Sequence, residues 1–326
     1  MLPKENRVPL AHLPTPLGEL PRLSRTLGGP RLWIKRDDLT GLAGGGNKAR
    51  KLEFFLADAL AQRATTLITT GAPQSNHALQ TAAAAARYGL QCVLVLRGMM
   101  PPAITGNLLL DRLVGARIRW TGDRDRNEVM EEVAEEERAA GRKPYIVPYG
   151  GSNALGASAY VLAMEELARQ AAQQGLHFDH IVFASSSGGT QAGLVVGARA
   201  VNFAGRILGI SVDQPEERLR ATVLDLARLA IAHLQFRFEI TPDEVLVNDR
   251  YRGQGYAIMG EPEREAILLA AQTEGLLVDP VYTGRALAGL IDLVRKGEFS
   301  RQETVLFWHT GGIPALFAYA DQLLKP

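Results

Sequence analysis

The sequence has little cysteine, no long apolar run and no excess of charge, and each absence argues against a class of protein. Cys92 is the only cysteine, so an intrachain disulfide is excluded and a reducing compartment is expected. No segment has the roughly 18 consecutive apolar residues of a membrane span. Lys4, Glu5, Asn6 and Arg7 stand where a signal peptide would begin its apolar run. Because 36 basic residues balance 35 acidic ones, no net charge attracts nucleic acid or an anionic membrane. We therefore expect a cytoplasmic protein whose partner is a small molecule.

Two common cofactor signatures are also missing. The six histidines show no metal-ligand spacing with Cys92 or with carboxylates. No G-x-G-x-x-G follows a strand with an acidic residue about 20 positions later, which argues against a nicotinamide-dependent dehydrogenase. The sequence therefore predicts neither a metal site nor a dinucleotide site.

What the sequence does have is a regular alternation of short, β-rich apolar segments with amphipathic helical ones, over 326 residues. Strands are predicted near 65–70, 91–97, 116–120, 144–148, 180–186, 206–212 and 304–310. Helices are predicted near 77–90, 107–114, 127–142, 190–201, 215–234, 262–275 and 284–296, with a further long helix ending near Gly175. This order is typical of parallel sheets covered by helices on both faces. The length suits two such α/β units, with a junction near 150–160.

The loop "SSSGGTQAG", which joins a buried strand to a helix, contains mainly small residues. In open α/β sheets, ligands bind beyond the carboxyl ends of the strands, where helix N-termini present free N–H groups. The N–H groups of Ser187, Gly188, Gly189 and Thr190 are therefore candidates to surround a phosphate. The loop lacks the lysine of a Walker motif, which fits a phosphate that is held and not transferred. A simple tight turn is the alternative.

The loop "GAPQSNHAL" has four consecutive polar residues where a strand ends and a helix begins. Helix capping accounts for Ser75 or Asn76, but not for Gln74 and His77 as well. We predict that this loop receives a substrate carboxylate, and that Asn76 can reach a ring oxygen.

Lys48 follows three consecutive glycines, Gly44 to Gly46, which are costly in conformational entropy unless something must approach the backbone closely. A lysine withdrawn from water there would be a neutral amine and a nucleophile toward an aldehyde. Ordinary surface charge, shared with Arg50 and Lys51, is the alternative.

The segments "DPVYTGRALAGL" and "FWHTGGIPALF" place Tyr282, Thr283 and Thr310 beside glycines at element boundaries, where packing or capping is the alternative explanation. Together these five segments offer a phosphate cradle, an amine, a carboxylate site and hydroxyl groups. These are the requirements of pyridoxal phosphate chemistry.

Long motifs of the chain closely resemble one family of pyridoxal phosphate enzymes. They are "GGGNKARKLEF", "GAPQSNH", "SSSGGTQAG", "EGLLVDPVYTGRALAGLIDLVRKGEF" and "HTGGIPALFAY". The family comprises 1-aminocyclopropane-1-carboxylate deaminases and D-cysteine desulfhydrases, within the tryptophan-synthase-β-like group of fold-type II. The likeness runs from "LPTPL" (13–17) to the C-terminus. It implies two open, twisted, mainly parallel α/β domains with the pyridoxal phosphate site in the cleft between them. A large domain is expected over 1–50 and 161–326 and a small one over 51–160. A homodimer is expected as the commonest assembly.

The resemblance also implies roles for individual residues. Lys48 would bind the cofactor covalently, the Ser187–Thr190 loop would hold its phosphate, and Asn76 would meet the ring O3′. Ser75 would lie near the substrate α-carbon, with Tyr256 and Tyr282 on the other side. Thr283 and Thr310 would lie near the pyridine nitrogen, and Gln74, Ser75, Asn76 and His77 would bind the substrate.

Two threonines bear on the reaction. Deaminases of the family carry glutamate after the tyrosine of "DPVY" and leucine after the histidine that precedes the later "GG". This chain has Thr283 and Thr310 at these two positions, which resembles the desulfhydrase pattern. A hydroxyl cannot keep the ring nitrogen protonated as a carboxylate would, so the ring is a weaker electron sink. That suffices for β-elimination with a good leaving group. The expected activity is conversion of D-cysteine to pyruvate, ammonia and hydrogen sulfide.

Alternatives remain open: a 1-aminocyclopropane-1-carboxylate deaminase, an L-cysteate sulfo-lyase, or a catalytically weak protein that binds pyridoxal phosphate or amino acids. Three residues depart from the family pattern. Leu79 replaces the usual arginine, and Met259 and Gly260 replace proline and asparagine. The missing arginine argues against a sulfonate substrate.

Overall fold

The computed structural model describes residues 6–324, which form two sheets flanked by helices. The larger sheet has the order β1-β2-β10-β7-β8-β9 and is parallel except for β1, which is antiparallel to β2. Its strands are β1 (Leu17–Glu19), β2 (Arg31–Arg36), β7 (His180–Ser185), β8 (Arg206–Ser211), β9 (Leu246–Asn248) and β10 (Thr304–His309). The smaller sheet has the order β5-β4-β3-β6 and is entirely parallel. Its strands are β3 (Thr66–Gly71), β4 (Gln91–Leu96), β5 (Arg117–Trp120) and β6 (Pro144–Ile146).

Eleven α-helices are present within the described residues. They are α1 (Pro21–Leu27), α2 (Asn47–Ala61), α3 (Asn76–Arg87), α4 (Gly106–Leu113), α5 (Arg126–Ala139), α6 (Ala154–Gln174), α7 (Gly189–Ala200), α8 (Glu216–His233), α9 (Glu261–Glu274), α10 (Thr283–Arg295) and α11 (Ala320–Leu323). No helix in this part of the chain is long and apolar enough to cross a membrane.

The predicted α/β class with mainly parallel sheets is confirmed, and the strands and helices predicted from periodicity lie within a few residues of their expected bounds. The pattern did not predict α1, α11 or the edge strands β1 and β9. The two strands have three residues each, too few to show a period of two.

Strand β2 was also not predicted. Its sequence RLWIKR has only three consecutive apolar residues between basic ones, and Lys35 is fully buried although lysine is usually exposed. The Lys35 Nζ donates to Glu166 Oε1 at 2.6 Å, and Glu166 lies far along the chain on α6.

Apolar residues cover both faces of each sheet, as parallel sheets require. In the smaller sheet Leu67 and Leu94 pack toward α2 and α3, whereas Ile68 and Val93 pack toward α5. The larger sheet has one apolar cluster with α6, α7 and α8 and another with α9 and α10. Burial on both faces fixes the register of the strands and therefore the positions of the loops at their carboxyl ends.

The division into domains remains a prediction. The smaller sheet lies within the predicted small domain of 51–160, but both predicted boundaries fall inside continuous helices, α2 and α6. Residues 1–5 and 325–326 of the predicted large domain lie outside the described residues.

Candidate active site

A cleft of about 590 Å³, open to solvent at its mouth, lies where the carboxyl ends of β3, β7 and β10 meet the start of α2. The residues that line the cleft are Asn47, Lys48, Ser75, Asn76, His77, Tyr149, Gly150, Ala184, Ser185, Ser186, Ser187, Gly188, Thr190, Tyr282 and Thr310. Most residues predicted for the site are therefore brought together here.

Lys48 is the second residue of α2, and its side chain reaches into the cleft. The Lys48 Nζ donates to the carbonyl of Gly150 at 3.1 Å. Burial lowers the pKa of Lys48 from 10.5 to about 8, because water no longer solvates the ammonium ion. A much larger fraction of this amine is therefore neutral near neutral pH than is usual for lysine.

The glycines before Lys48 are required by the protein's own backbone. Gly45 and Gly46 have φ of +77° and +137°, conformations that favour glycine. A Cβ on Gly45 would lie 1.8 Å from the carbonyl oxygen of Asp38, and one on Gly46 would lie 3.0 Å from that of Thr310. The close approach to the backbone that the three glycines predicted is therefore made by other loops of the chain, and this packing fixes the start of α2.

The alternative explanation of Lys48, Arg50 and Lys51 as surface charge is wrong, because Arg50 is 3% exposed and Lys51 is 1% exposed. Lys51 Nζ donates to the same Gly150 carbonyl at 3.2 Å, and burial together with the charge of Lys48 lowers its pKa well below the ordinary value. Arg50 donates to both carboxylate oxygens of Asp37, at 2.8 and 3.0 Å. Helix α2 therefore starts with one half-buried amine, one buried amine and one buried ion pair.

The loop between β3 and α3 presents three of its four predicted residues to the cleft. Ser75 is the N-cap of α3, and its Oγ accepts the N–H of Ala78 at 3.2 Å, so capping does account for this residue. Ser75 nevertheless also lines the cleft, as do Asn76 and His77. Gln74 differs, because its Nε2 donates to the carbonyl of Thr105 at 3.0 Å and it is not a lining residue.

The ring of His77 is neutral near neutral pH and contacts Thr69. The Thr69 hydroxyl donates to the carbonyl of Val147 at 2.8 Å. Its oxygen lies 2.9 Å from His77 Nε2 and can accept a hydrogen bond from that nitrogen. Burial and the nearby charges of Lys48 and Lys51 lower the pKa of His77 well below its ordinary value.

The loop between β7 and α7 has the shape of an anion site. Gly188, with φ of +79°, is the N-cap of the 12-residue helix α7, whose first N–H groups have no acceptor inside the helix. Ser152, which the sequence analysis did not identify, joins this loop: its Oγ accepts the N–H of Gly189 at 3.2 Å and lies 2.8 Å from Ser187 Oγ. Thr190 accepts a hydrogen bond from Asn47 Nδ2 at 3.1 Å, which ties the loop to the start of α2.

Ser185 also lines the cleft at the end of β7, and its buried Oγ has no hydrogen-bond partner within the described chain. A buried polar group is normally paired. This hydroxyl is therefore available to a ligand.

Two predicted tyrosines form a pair at the cleft. The hydroxyls of Tyr256 and Tyr282 share a hydrogen bond, and their rings meet edge to face with centroids 6.0 Å apart. Burial raises the pKa of both, so both remain phenols. Tyr282 lines the cleft, whereas Tyr256 reaches it through Tyr282. Arg285 holds the segment that carries Tyr256, donating to the carbonyls of Gly255 at 3.0 Å and Ile258 at 2.7 Å.

The two threonines that the sequence placed near a pyridine nitrogen occupy different positions. Thr310 lines the cleft. The Thr283 hydroxyl donates to Asp279 Oδ1 at 2.7 Å, and Thr283 is fully buried and not a lining residue. Asp279 also accepts the N–H groups of Val281 and Tyr282, at 2.9 and 2.8 Å. Thr283 and Asp279 therefore shape the start of α10, and of the two threonines only Thr310 is in place to contact a ligand.

Tyr149 and Gly150 also line the cleft, although they were not among the residues predicted from the sequence. They follow β6, in the segment "PYGGSN". A strand end followed by glycines is the same signal that identified the other loops, so the residues could have been found. Tyr149 packs against a cation on α5, since the guanidinium carbon of Arg126 lies 4.0 Å from its ring centroid.

Comparison with known proteins gives consistent relatives. The family model described as pyridoxal-phosphate dependent enzyme matches residues 8–311. The chain is 43% identical over 330 residues to a 1-aminocyclopropane-1-carboxylate deaminase of Burkholderia vietnamiensis, with 97% of this chain and 96% of that protein aligned. It is 42% identical to a putative 1-aminocyclopropane-1-carboxylate deaminase of Pyrococcus abyssi, over 100% of this chain and 97% of the relative.

Among solved structures, an ACC deaminase homologue has a TM-score of 0.91 and 42% identity, covering 98% of this chain and 96% of its own. A threonine deaminase of T.th. has a TM-score of 0.65 at 23% identity, covering 91% of this chain and 92% of its own, and so shares the fold.

The residues of the cleft fit the cofactor of that family. A phosphorylated pyridine aldehyde needs an amine that can be neutral, an anion site in the same cleft, and polar groups around a ring. Lys48, the start of α7, and Ser185 with Asn76 provide these in one cleft. The chain is therefore a member of the pyridoxal-phosphate dependent enzyme family, and pyridoxal phosphate is its cofactor.

Proposed function

We propose that the protein is a β-eliminating carbon–sulfur lyase that converts D-cysteine to pyruvate, ammonia and hydrogen sulfide. One observation carries the proposal: among residues 6–324, none of the side chains that line the cleft is a carboxylate. A carboxylate is the group that would keep a pyridine nitrogen protonated and the ring strongly electron-withdrawing. Among the lining residues, Thr310 is the one we expect to face that nitrogen, and it offers only a hydroxyl. Such a site suits a reaction in which a good leaving group, a thiolate, removes the charge that develops on the substrate.

When bound, the cofactor withdraws electrons from the α-carbon of the amino acid that it carries. The residues of the chain supply the remaining functions. Lys48 would hold the cofactor and then, as a neutral amine, accept the α-proton at Nζ. Its lowered pKa of about 8 suits a base that must be partly unprotonated near neutral pH. Ser75 lies in the same cleft and can relay that proton through its Oγ.

The start of α3 would bind the substrate carboxylate. Its first N–H groups have no acceptor within the helix, and the positive end of the helix dipole favours an anion. His77, which is neutral, lies in the second position of this helix. On the opposite side, Tyr282 and Tyr256 present phenol groups that can orient the leaving sulfur.

A second candidate is deamination of 1-aminocyclopropane-1-carboxylate. The names of the similar proteins favour it, since those of Burkholderia and Pyrococcus are called deaminases or putative deaminases of that compound. Deamination is supported by the sequence identity over whole chains, whereas β-elimination is supported by the side chains that line the cleft. A homodimer and a cytoplasmic location remain predictions.

The test is a substrate panel with purified, cofactor-loaded protein: D-cysteine, L-cysteine, L-cysteate and 1-aminocyclopropane-1-carboxylate. We expect sulfide and pyruvate in equal amounts from D-cysteine, and little 2-oxobutyrate from the cyclopropane substrate. Formation of 2-oxobutyrate without sulfide would establish the second candidate instead. Turnover of L-cysteate to sulfite would indicate a sulfo-lyase, and a visible cofactor band without any turnover would indicate a binding protein.

Two variants locate the chemistry. Lys48→Ala should remove the visible band of the covalently bound cofactor and all turnover. Ser75→Ala should keep the band, because Ser75 does not bind the cofactor covalently. It should lose most turnover, because the hydroxyl that relays the α-proton is missing. Retention of full activity by Ser75→Ala would remove Ser75 from the proton path.

A further inference from the structure

The loop that carries Ser75 and Asn76 is joined to the start of α4 by four hydrogen bonds. Asn107, the second residue of α4, makes three of them: its backbone N–H donates to Gln74 Oε1, and its Nδ2 donates to the carbonyl of Gln74 and to Asn76 Oδ1, each at 2.9 Å. The fourth runs from Gln74 Nε2 to the carbonyl of Thr105 at 3.0 Å. Asn107 is fully buried and is not a lining residue of the cleft.

Backbone groups fix the orientation of each amide in this set. The carbonyl of Gln74 can only accept, so the Asn107 atom that meets it must be Nδ2. The same Nδ2 faces Asn76, so the Asn76 atom in contact must be the acceptor Oδ1. The opposite flip of Asn76 would place two donors against each other. A backbone carbonyl thus sets the orientation of Asn107, which in turn sets that of Asn76.

The Oδ1 of Asn107 supports a role beyond stability. This oxygen is buried and has no partner within residues 6–324. An unpaired buried acceptor is costly, and a small apolar residue at this position would avoid the cost. The structure retains the asparagine, whose Nδ2 provides the donor both to the carbonyl of Gln74 and to Asn76 Oδ1.

We propose that Asn107 is a positioning residue that holds Asn76 with its Nδ2 toward the cleft, as a donor to the ring oxygen of the cofactor. This rests on the predicted contact between Asn76 and that oxygen, and it does not depend on which amino acid the enzyme consumes. Asn107 itself touches only the loop.

The experiment is a double-mutant cycle read by cofactor affinity. The dissociation constant of pyridoxal phosphate is measured by absorbance titration for the apo forms of wild type, Asn107→Ala, Asn76→Ala and the double variant, together with their melting temperatures. We expect each single variant to weaken binding about tenfold, the effect of one lost hydrogen bond. We expect the double variant to bind no more weakly than Asn76→Ala, although it melts at a lower temperature. Additive effects on affinity would overturn the proposal.

A matched control separates positioning from general stability. Leu108, the next residue of α4, is also fully buried but packs in the apolar core. Leu108→Ala should lower the melting temperature without changing cofactor affinity. An equal loss of affinity in Leu108→Ala would show that Asn107 acts only through the stability of α4.

Asn107→Asp, which keeps the shape, tests the direction of the hydrogen bond and remains informative if Asn107→Ala fails to fold. A carboxylate at 107 would draw Asn76 Nδ2 toward itself and turn Oδ1 toward the ring oxygen. Asn107→Asp should therefore weaken cofactor binding more than tenfold and shift the visible band of the bound cofactor. In the Asn76→Ala background it should do neither, and the same loss in both backgrounds would overturn the proposal.

Discussion

The depressed pKa of Lys48 can be tested by titrating its amine in the apo-protein. Burial lowers this pKa from 10.5 to about 8. Near neutral pH about one tenth of the amine would then be neutral, against about one part in 3,000 for an ordinary lysine. The expected gain in the reactive form is about 300-fold. This gain prepares the amine to react with an aldehyde.

Competitive labelling measures this value directly. A trace of acetic anhydride is applied to the apo-protein across a range of pH, and the label on each lysine is quantified by mass spectrometry. Lys143, which is exposed, corrects for reagent reactivity. Labelling of Lys48 should rise with a midpoint near pH 8. A midpoint near the ordinary value of 10.5 would refute the argument from burial.

A neighbouring variant tests the cause. Burial alone lowers the pKa of Lys48, although Lys51 shares the same carbonyl acceptor. Lys51→Met should therefore leave the midpoint of Lys48 unchanged. A rise of that midpoint in Lys51→Met would show that repulsion between the two amines, and not burial, sets the pKa.

The same shift affects stability, with a definite sign. Because the folded state disfavours the ammonium form of Lys48, the free energy of unfolding is lowered. This loss of stability is complete below the folded pKa of about 8 and disappears as the pH rises through 10.5. The shift corresponds to about 3 kcal/mol. Lys48→Met should therefore raise the melting temperature of the apo-protein near neutral pH while removing the covalent link to the cofactor. An apo-protein that melts lower than wild type would contradict this.

Three further predictions concern residues that do not line the cleft. Asp111 is buried with both carboxylate oxygens unpaired in the described chain, and burial raises its pKa from 3.8 to about 8. The free-energy cost of this burial to the folded state grows as the pH rises from 3.8 to about 8 and is constant above that. The gain in melting temperature from Asp111→Asn should therefore grow over the same pH range. A gain that does not change with pH would contradict this. Glu263 lies 2.7 Å from the guanidinium group of Arg285, so Arg285→Met would leave its carboxylate as an unpaired buried charge. The variant should lower the free energy of unfolding by about 3–5 kcal/mol, as measured with denaturant. A decrease below about 1 kcal/mol would indicate that Glu263 becomes protonated or hydrated. Gly45→Ala should lower both the melting temperature and the cofactor affinity, because its Cβ would lie 1.8 Å from the Asp38 carbonyl oxygen; wild-type values would show that the loop can move.

Much of the fold and most of the cleft could be predicted because both depend on local pattern. Buried strands and amphipathic helices show their periods, and the loops at the carboxyl ends of parallel strands meet at one edge. Ser75, Asn76, Ser187 and Thr310 were identified in this way, and all line the cleft.

The errors arose where distant residues decide the environment. Lys51 and Arg50 resemble surface charge in the sequence, because nothing local indicates that Arg50 meets Glu166, 116 residues away. Gln74 and Thr283 were expected to contact ligands, but Asn107 and Asp279 take their hydrogen bonds. Hydrogen-bond partners of a polar side chain depend on packing, which composition and spacing do not encode.

The most direct test of the central claim is reductive trapping of the cofactor. The holoenzyme is treated with sodium borohydride, which makes a link between an amine and the cofactor aldehyde permanent, and the modified peptide is sequenced by mass spectrometry. The account predicts one added phosphopyridoxyl group per chain, on Lys48. The group on Lys51 or on any other amine, or bound cofactor that cannot be trapped at all, would contradict it.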